Sequence, residues 1–487
     1  MQERRDDVTV PAEPNAYDLI LVGTSFASSF FLLEYARHAP GARILVLERG
    51  DMLTHADHGR LAGQLGQQTR DSYSTTTPSK IWNFKLAFGG SSNCWAACTP
   101  RMTPEDFELR TRYGVAVDWP ITYDELEGYY CEAEDVMTVS GPIEGGPWPR
   151  SRPYPQPPHR LSEPDRLLKA AAPHLWCEQP CARPTRQPAS GRAPCCATGV
   201  CPQCPVDSKF TILNELKHLY EAPGVELRTG ALALEVEHTG AVATGIRWTE
   251  GGRERSARGT LVVLGANAIF NPHLLLRSGL DGPEVGQGLV EQLSVYAHVD
   301  LDGVDGFGGS TLITAMGYPM HDGPHRAKQA AALIESHNAP VTLRDLRGRW
   351  RQYLRLKVVF EDLRQPGNRV TVSRDNPDRP SVTFVGHSAY AYAAAAALPD
   401  SLPRALRALP IQKLRIDESF TATEHHVQCT TPMGLDPATS VVDADLRHHR
   451  VRNLLVLGAS VFPTCPPANP TLTLSALSTR AARRLFA

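Results

Sequence analysis

The chain has 487 residues, 42% hydrophobic and 21% charged, with a net charge of −2. That length suggests two or three domains of roughly 150 residues each and is ample for a buried core. The near-neutral balance gives no argument for nucleic acid or an anionic membrane surface as partner. No apolar run reaches the roughly 18 residues of a membrane helix, so no direct span is expected. The polar opening MQERRDDVTVPAEPNAYD has no apolar signal core, which points to a cytoplasmic, reducing setting where disulfides are not expected. Export to the periplasm on a partner subunit's signal stays open.

Residues 17–50, YDLILVGTSFASSFFLLEYARHAPGARILVLERG, read as strand, turn, helix and strand. Asp18–Val22 and Arg43–Leu47 are apolar runs of the buried parallel type, and a helix is expected from about Ser25 to Arg37, broken by Pro40-Gly41. This order favours a right-handed crossover and a parallel sheet. In such a turn, backbone N–H groups meet a pyrophosphate at the helix N-terminus. The G-x-G-x-x-G template is filled as Gly23-Thr24-Ser25-Phe26-Ala27-Ser28, so one glycine stands. Ser25 and Ser28 are small and carry hydroxyl donors, and Glu48 follows Gly23 by 25 positions, where an acid would hold ribose hydroxyls. A strand–helix–strand unit that binds nothing also fits this segment alone.

Residues 51–80 are polar and rich in Gly, Gln, Ser and Thr, which reads as a mobile surface loop, either plain surface or a lid. Residues 141–164 are too dense in proline for a helix interior and read as an extended connector. Residues 195–205, CCATGVCPQCP, hold four of the eleven cysteines. A disulfide framework, a zinc site and an iron–sulfur cluster are all open for this stretch. Thiolates at short, irregular spacing with proline after the last one suit the third. Val225–Val263 is rich in strands; segments TLITAMGYPM, YLRLKVVFE, RVTVSR and SVTFVGH between 288 and 418 read as one sheet; SAYAYAAAAALPD reads as a helix; and the C-terminus reads as strand, loop and closing helix.

Five segments carry a resemblance. They are FGGSSNCWAACTPR at 88–101, DFE at 106–108, DWPITYDELEGYYCEAE at 118–134, VVLGANAIFNPHLLLRSGL at 262–280, and the stretch from His426 (HVQCTTPMG) through ANPT to Leu477. In family order, they resemble the glucose–methanol–choline (GMC) oxidoreductases, nearest the branch of FAD-dependent sugar dehydrogenase catalytic subunits and pyranose oxidase. The resemblance implies an α/β fold: a Rossmann-like FAD domain from 16–135, 200–290 and 425–487, and an α+β substrate domain with a mainly antiparallel sheet and a connector from 136–199 and 291–424. It implies FAD contacts from Gly23, Ser25, Ser28, Glu48, Arg49, Gly89, Gly90, Ser91, Asn93, Cys94, Val236, Gly458, Ala459, Pro470 and Thr471. Gly458 stands where the family has aspartate, and Asn267 where it has glycine.

Oxidising an alcohol needs a base for the hydroxyl proton and an acceptor for the hydride. The resemblance assigns the base to His426, in a match to H-x-x-G-T-x-x-M-G, and its partner to Asn469. His425 falls one position off, and Cys429 replaces the motif's glycine, where it is expected to reshape the substrate-facing wall. Cys94 takes the place of a flavin-linked histidine in some members; a thioether link and a small core residue are both open. In sugar dehydrogenase subunits a C-C-x4-C pattern holds a three-iron (3Fe-4S) cluster. Cys195, Cys196 and Cys201 meet it here, with Cys204 spare or a fourth ligand. The implied reaction is oxidation of a sugar or polyol, electrons leaving to an external acceptor, with a cytochrome subunit and a small accessory subunit as expected partners. The alternatives are an oxidase using oxygen and a flavin-deficient binding or scaffold protein.

Overall fold

The structure is a computed structural model and describes residues 16–199, 201, 203–338 and 343–487. Most of the opening segment read above for a signal therefore lies outside the described residues. Sixteen strands occur among the described residues: β1 (Ala16–Val22), β2 (Ile44–Leu47), β3 (Ser74–Thr75), β4 (Trp176–Glu178), β5 (Val225–Arg228), β6 (Ala231–Thr239), β7 (Val242–Glu250), β8 (Arg253–Leu264), β9 (Leu293–Leu301), β10 (Ile313–Met320), β11 (Ala332–His337), β12 (Tyr353–Phe360), β13 (Arg369–Val372), β14 (Pro380–Thr383), β15 (Ile411–Ile416) and β16 (Leu454–Val456).

The first sheet runs β5-β2-β1-β8-β7-β6. Strand β8 explains its mixed character. Its first half pairs antiparallel with β7 as a hairpin, while its apolar end lies parallel between β1 and β16. The four-residue runs at the ends of β1 and β2 and the last three residues of β8 are buried, as a sheet covered on both faces requires. The helix at Phe26–His38 packs against the closing helix at Thr471–Arg483, and Tyr123–Met137 packs on the latter.

The second sheet, β15-β9-β12-β11-β10-β4, is antiparallel in all its pairings. Side chains alternate across a strand, so each face has its own character. Val295, Ile334, Leu356 and Val358 join a core with Ala391 and Leu402, from the helices at Ala389–Ala396 and Leu398–Ala405. The other face carries Tyr296, Glu335, His337, Arg355 and Lys357. Register puts Glu335 opposite Lys357, Lys357 opposite Tyr296, and His337 opposite Arg355.

Two expectations are corrected. Residues 51–80 are not all loop: short helices form at His55–Arg60 and Ala62–Asp71. Thr54 starts the first with a reciprocal capping box to Asp57, which offsets the unfavourable composition. The strands of RVTVSR and SVTFVGH do not join the large sheet; β13 and β14 form a separate three-stranded sheet with β3.

No helix among the described residues is long and apolar enough to cross a membrane. His58, His159, His273 and His448 are buried, and burial lowers each pKa to about 4. These values lie below the unfolded value near 6.5, so the unfolded chain takes up protons first as pH falls. Stability is full above about 6.5 and is lost between there and about 4. The unfolding free energy read from urea titrations therefore drops between pH 7.5 and pH 5, by about 1–2 kcal/mol per histidine at most, and the midpoint falls with it. Equal midpoints at the two pH values would contradict the burial of these rings.

Candidate active site

The turn after β1 is built on a close approach. Gly23 has φ +90°, and a Cβ there would sit 2.6 Å from the Gly265 carbonyl oxygen. Thr24, a residue the glycine template ignores, ties the turn together. Its hydroxyl donates to Glu48 Oε2 at 2.6 Å and accepts from the Gly89 N–H at 2.9 Å. Glu48 Oε1 accepts from the Gly50 N–H at 2.7 Å, and burial pushes the carboxyl up. Ser25 precedes the first helix with no capping bond from its side chain, beside Gly90. Ser28 is different: it is wholly buried under Gly265, and its hydroxyl donates to the Val22 carbonyl at 3.3 Å. Its expected role as a phosphate donor is replaced by helix–strand packing.

The 88–94 segment lies against this turn. Gly89 and Gly90 have positive φ and lead into a helical turn at Gly90–Asn93. Asn93 Nδ2 donates to the carbonyls of Phe88 and Gly90, each at 2.9 Å, and Ser91 Oγ accepts from the Lys85 N–H at 3.3 Å. Cys94 is half-buried with its thiol toward the Ser91 carbonyl at 3.6 Å, and burial raises its pKa. Val236 is interior to β6, its N–H used by Ser278 Oγ at 2.8 Å. The two departures from the family pattern have local explanations. Asn267 adopts φ +73°, a left-handed state that asparagine tolerates, and its side chain caps the Ile269 N–H at 2.8 Å. Gly458 has φ +92°, with Ala27 as the one neighbour a Cβ would approach, at 3.7 Å, so a cradle remains before Ala459. Arg49 Nη1 is buried with no hydrogen-bond partner among the described residues. A turn that opens on a glycine and carries only small side chains, a cradle at Gly458 and a buried guanidinium nitrogen without a partner among the described residues fit FAD.

His426 and Asn469 meet the second sheet. Gln292 Nε2 donates to the carbonyls of Pro466, at 2.9 Å, and Ala468, at 3.3 Å, which fixes the amide with Oε1 toward His426. His426 Nδ1 lies 3.1 Å from that oxygen and therefore carries the proton. Its Nε2 has no hydrogen bond among the described residues and keeps its lone pair. Burial lowers the His426 pKa to about 4, so the ring is neutral at pH 7. Asn469 Nδ2 points to Glu335 Oε1 at 3.5 Å, and Asn469 Oδ1 is buried without a partner among the described residues. Asn469 is followed by Pro470 and Thr471, where the closing helix begins. Next to His426, His425 is exposed with φ +62°. Cys429 takes φ +73° at the motif's glycine but does not face substrate: it is fully buried, its thiol donating to the Thr464 carbonyl at 3.4 Å. The expected effect on the substrate wall is withdrawn.

The expected cluster thiols are not brought together as a ligand set. Cys196 is exposed beside Thr198, Cys195 donates to the Ser310 carbonyl at 3.3 Å, and Cys201 and Cys204 are buried. No group of three or more His, Cys, Asp or Glu among the described residues is placed to hold a metal ion. The arrangement as it stands does not fit a cluster. What the fold does assemble nearby is Arg183, buried, donating to Cys181 Sγ at 3.2 Å, Thr311 Oγ1 at 3.2 Å and the Ala96 carbonyl at 2.9 Å. It has no carboxylate partner among the described residues.

Sequence reasoning missed Thr24, Gln292, Glu335 and Arg183. Thr24 fills an unspecified position of the glycine template and the other three sit in no motif; each is recruited by tertiary contact.

Two family models match the chain, both described as GMC oxidoreductase, over residues 168–294 and 367–478. The fructose dehydrogenase large subunit of Gluconobacter japonicus is 29% identical, covering 96% of this chain and 97% of that protein. The 6'''-hydroxyparomomycin C oxidase of Streptomyces lividus is 28% identical over 99% of this chain and 93% of that protein. The crystal structure of pyridoxine 4-oxidase from Mesorbium loti has the same fold, with a TM-score of 0.65 and 18% identity, over 96% of this chain and 99% of that one.

Proposed function

Because the chain belongs to the GMC oxidoreductase family, we propose that it oxidises the CH–OH group of a sugar or other polyol, with His426 as the base. The observation that carries this is a neutral His426 held through Nδ1 by Gln292, whose amide is anchored on the carbonyl of Ala468, the residue before Asn469 and its unpartnered buried oxygen. When bound, FAD supplies the hydride acceptor. Gly23, Ser25, Glu48, Arg49, the 89–94 segment and the Gly458 cradle would hold it. In this reading His426 Nε2 takes the hydroxyl proton, and Asn469 Oδ1 accepts a hydrogen bond from the substrate. Neutral imidazole is the competent form, so kcat/KM is flat at neutral pH and falls only as pH approaches about 4.

The discontinuous division into an FAD part and a substrate part is proposed on the same basis: the two sheets separate along those segments. Dehydrogenase rather than oxidase action is supported by the fructose dehydrogenase large subunit, whose name also makes a partner subunit a reasonable acceptor route. The test is purified protein with sugars and polyols and an artificial acceptor dye. Dye reduction with little peroxide supports the dehydrogenase, peroxide formation the oxidase, and no turnover with any alcohol refutes the function.

A separate proposal, which rests on spacing and requires the thiols to move together from the arrangement described above, concerns Cys195, Cys196 and Cys201 as iron–sulfur ligands. Their spacing supports it, as does the buried Arg183 cation near Cys195, whose N–H donates to the adjoining Pro184 carbonyl at 2.9 Å. No electron route is derived from it. Iron and acid-labile sulfide in the anaerobically purified protein decide it; their absence rejects it.

Gln292 acts through His426. Gln292→Leu frees the tautomer and lowers kcat by roughly a hundredfold with KM little changed. Gln292→Glu keeps the acceptor but stabilises imidazolium, so the acid limb moves up from about 4. An unmoved pH profile in Gln292→Glu would remove Gln292 from the mechanism.

A further inference from the structure

Glu335 is a buried carboxylate with too few donors. An ionised carboxylate offers about four acceptor sites. Here Oε1 has the Asn469 amide at 3.5 Å and Oε2 has the His337 ring at 3.4 Å. Both are long for charge-assisted bonds. His337 is its sole ion-pair neighbour among the described residues. Lys357, opposite it on β12, is taken by Glu424 at 2.6 Å. Burial pushes the Glu335 carboxyl up, but His337 and Lys357 outweigh it and the group stays ionised.

Joined to it through the Asn469 amide, Asn469 Oδ1 is a second buried acceptor with no partner among the described residues. The two belong to different layers: Glu335 to the polar face of the second sheet, Asn469 to the ribbon before the closing helix. Two unfilled acceptors linked by one amide call for a ligand with two donors on neighbouring atoms. Leaving such groups unpaired in a buried site is costly, and a molecule that supplies one donor leaves the other unpaired.

We propose that Glu335 determines specificity by accepting a hydrogen bond from a donor on the carbon next to the oxidised carbinol, so that the enzyme selects vicinal polyols or amino alcohols over monohydric alcohols. This rests on His426 and Asn469 being the reacting pair. The donor is a hydroxyl or an ammonium; Glu335 suits both.

The test is anaerobic bleaching of the bound flavin by sorbitol, glucose, glucosamine, hexanol and cyclohexanol. Wild type, Glu335→Ala and Glu335→Gln are compared, each first checked for its flavin spectrum and for reduction by dithionite. Wild type is expected to favour the polyols over the monohydric alcohols at least about tenfold. Glu335→Ala loses at least about tenfold more in kcat/KM for the polyols, mainly through KM, than it does for hexanol and cyclohexanol. Should Glu335→Ala fail to hold flavin, the isosteric Glu335→Gln, which lacks the charge and one acceptor oxygen, is expected to show the same narrowing. A glucosamine preference over glucose that Glu335→Gln abolishes identifies ammonium as the donor; equal treatment of the two identifies hydroxyl. The proposal is overturned if wild type shows no preference, or if the preference survives both substitutions. If no alcohol bleaches wild-type flavin while dithionite does, the reading of His426 and Asn469 fails first and takes this proposal with it.

Discussion

His426→Ala is expected to abolish substrate-driven reduction, with a rate loss of about a thousandfold or more, while the protein keeps its flavin. Positioned proton transfer contributes typically 10²–10⁴-fold. His426 also has no stand-in: His425 is exposed, with its backbone in the left-handed region, and of the two buried carboxylates whose charge His426 feels, Glu424 is paired with Lys357 and Glu335 is held ionised below the usual range. The loss should appear in kcat, because Asn469 and the sheet face that would bind the substrate are untouched. Stability should change little, since among the described residues His426 makes one side-chain hydrogen bond, to an amide anchored independently on the Pro466 and Ala468 carbonyls. Retained turnover would move the base elsewhere.

Arg326→Met is expected to be the most damaging single substitution for stability, by about 3–5 kcal/mol. Arg326, Asp106 and Glu361 are all fully buried. One guanidinium nitrogen, Nη2, serves both carboxylates, at 3.1 Å to Asp106 and 3.0 Å to Glu361. Burial acts to raise Asp106, but His321 and Arg326 more than reverse it, holding it at about 2; Glu361 is raised by its burial. Removing the cation leaves two carboxylates facing each other in a site closed to water. One must then protonate or the cluster must open. The cluster joins the 106–108 segment to the end of β12, so its loss loosens the large sheet from the segment beside it. A urea midpoint within error of wild type would show that the guanidinium is not what neutralises this pair. Asp106→Asn with Arg326→Met should recover part of the loss, because it removes one of the two stranded charges.

How far the sequence goes depends on whether a feature is local. The β1–helix–β2 unit was legible because apolar runs and the Pro40-Gly41 break lie within one stretch, and Phe26–His38 and Ile44–Leu47 fall within a residue of expectation. The closing strand and helix were legible for the same reason. The helices within 51–80 were hidden because their start rests on one capping box in a polar stretch. Two positions depart from the family's glycine, and the sequence alone does not say what fills their place. Asn267 is in fact a left-handed residue that caps its own helix, and Cys429 a thiol buried against Thr464. Serine at position 28 could be read as donor or packing residue, and only the position of Gly265 decides. Gln292 and Glu335 were out of reach because nothing next to them in sequence marks them; each gains its role from a partner 134 positions away. The cysteines show the opposite case. Their spacing is a clear local signal, yet the described thiols do not converge.

The most direct test of the account is anaerobic mixing of the purified protein with a polyol, following the oxidised-flavin band in wild type and in His426→Ala. The account predicts that both proteins carry flavin, that the polyol bleaches wild type, and that His426→Ala bleaches with dithionite but not with the polyol. Protein without flavin, or His426→Ala bleached by the polyol at the wild-type rate, would contradict it.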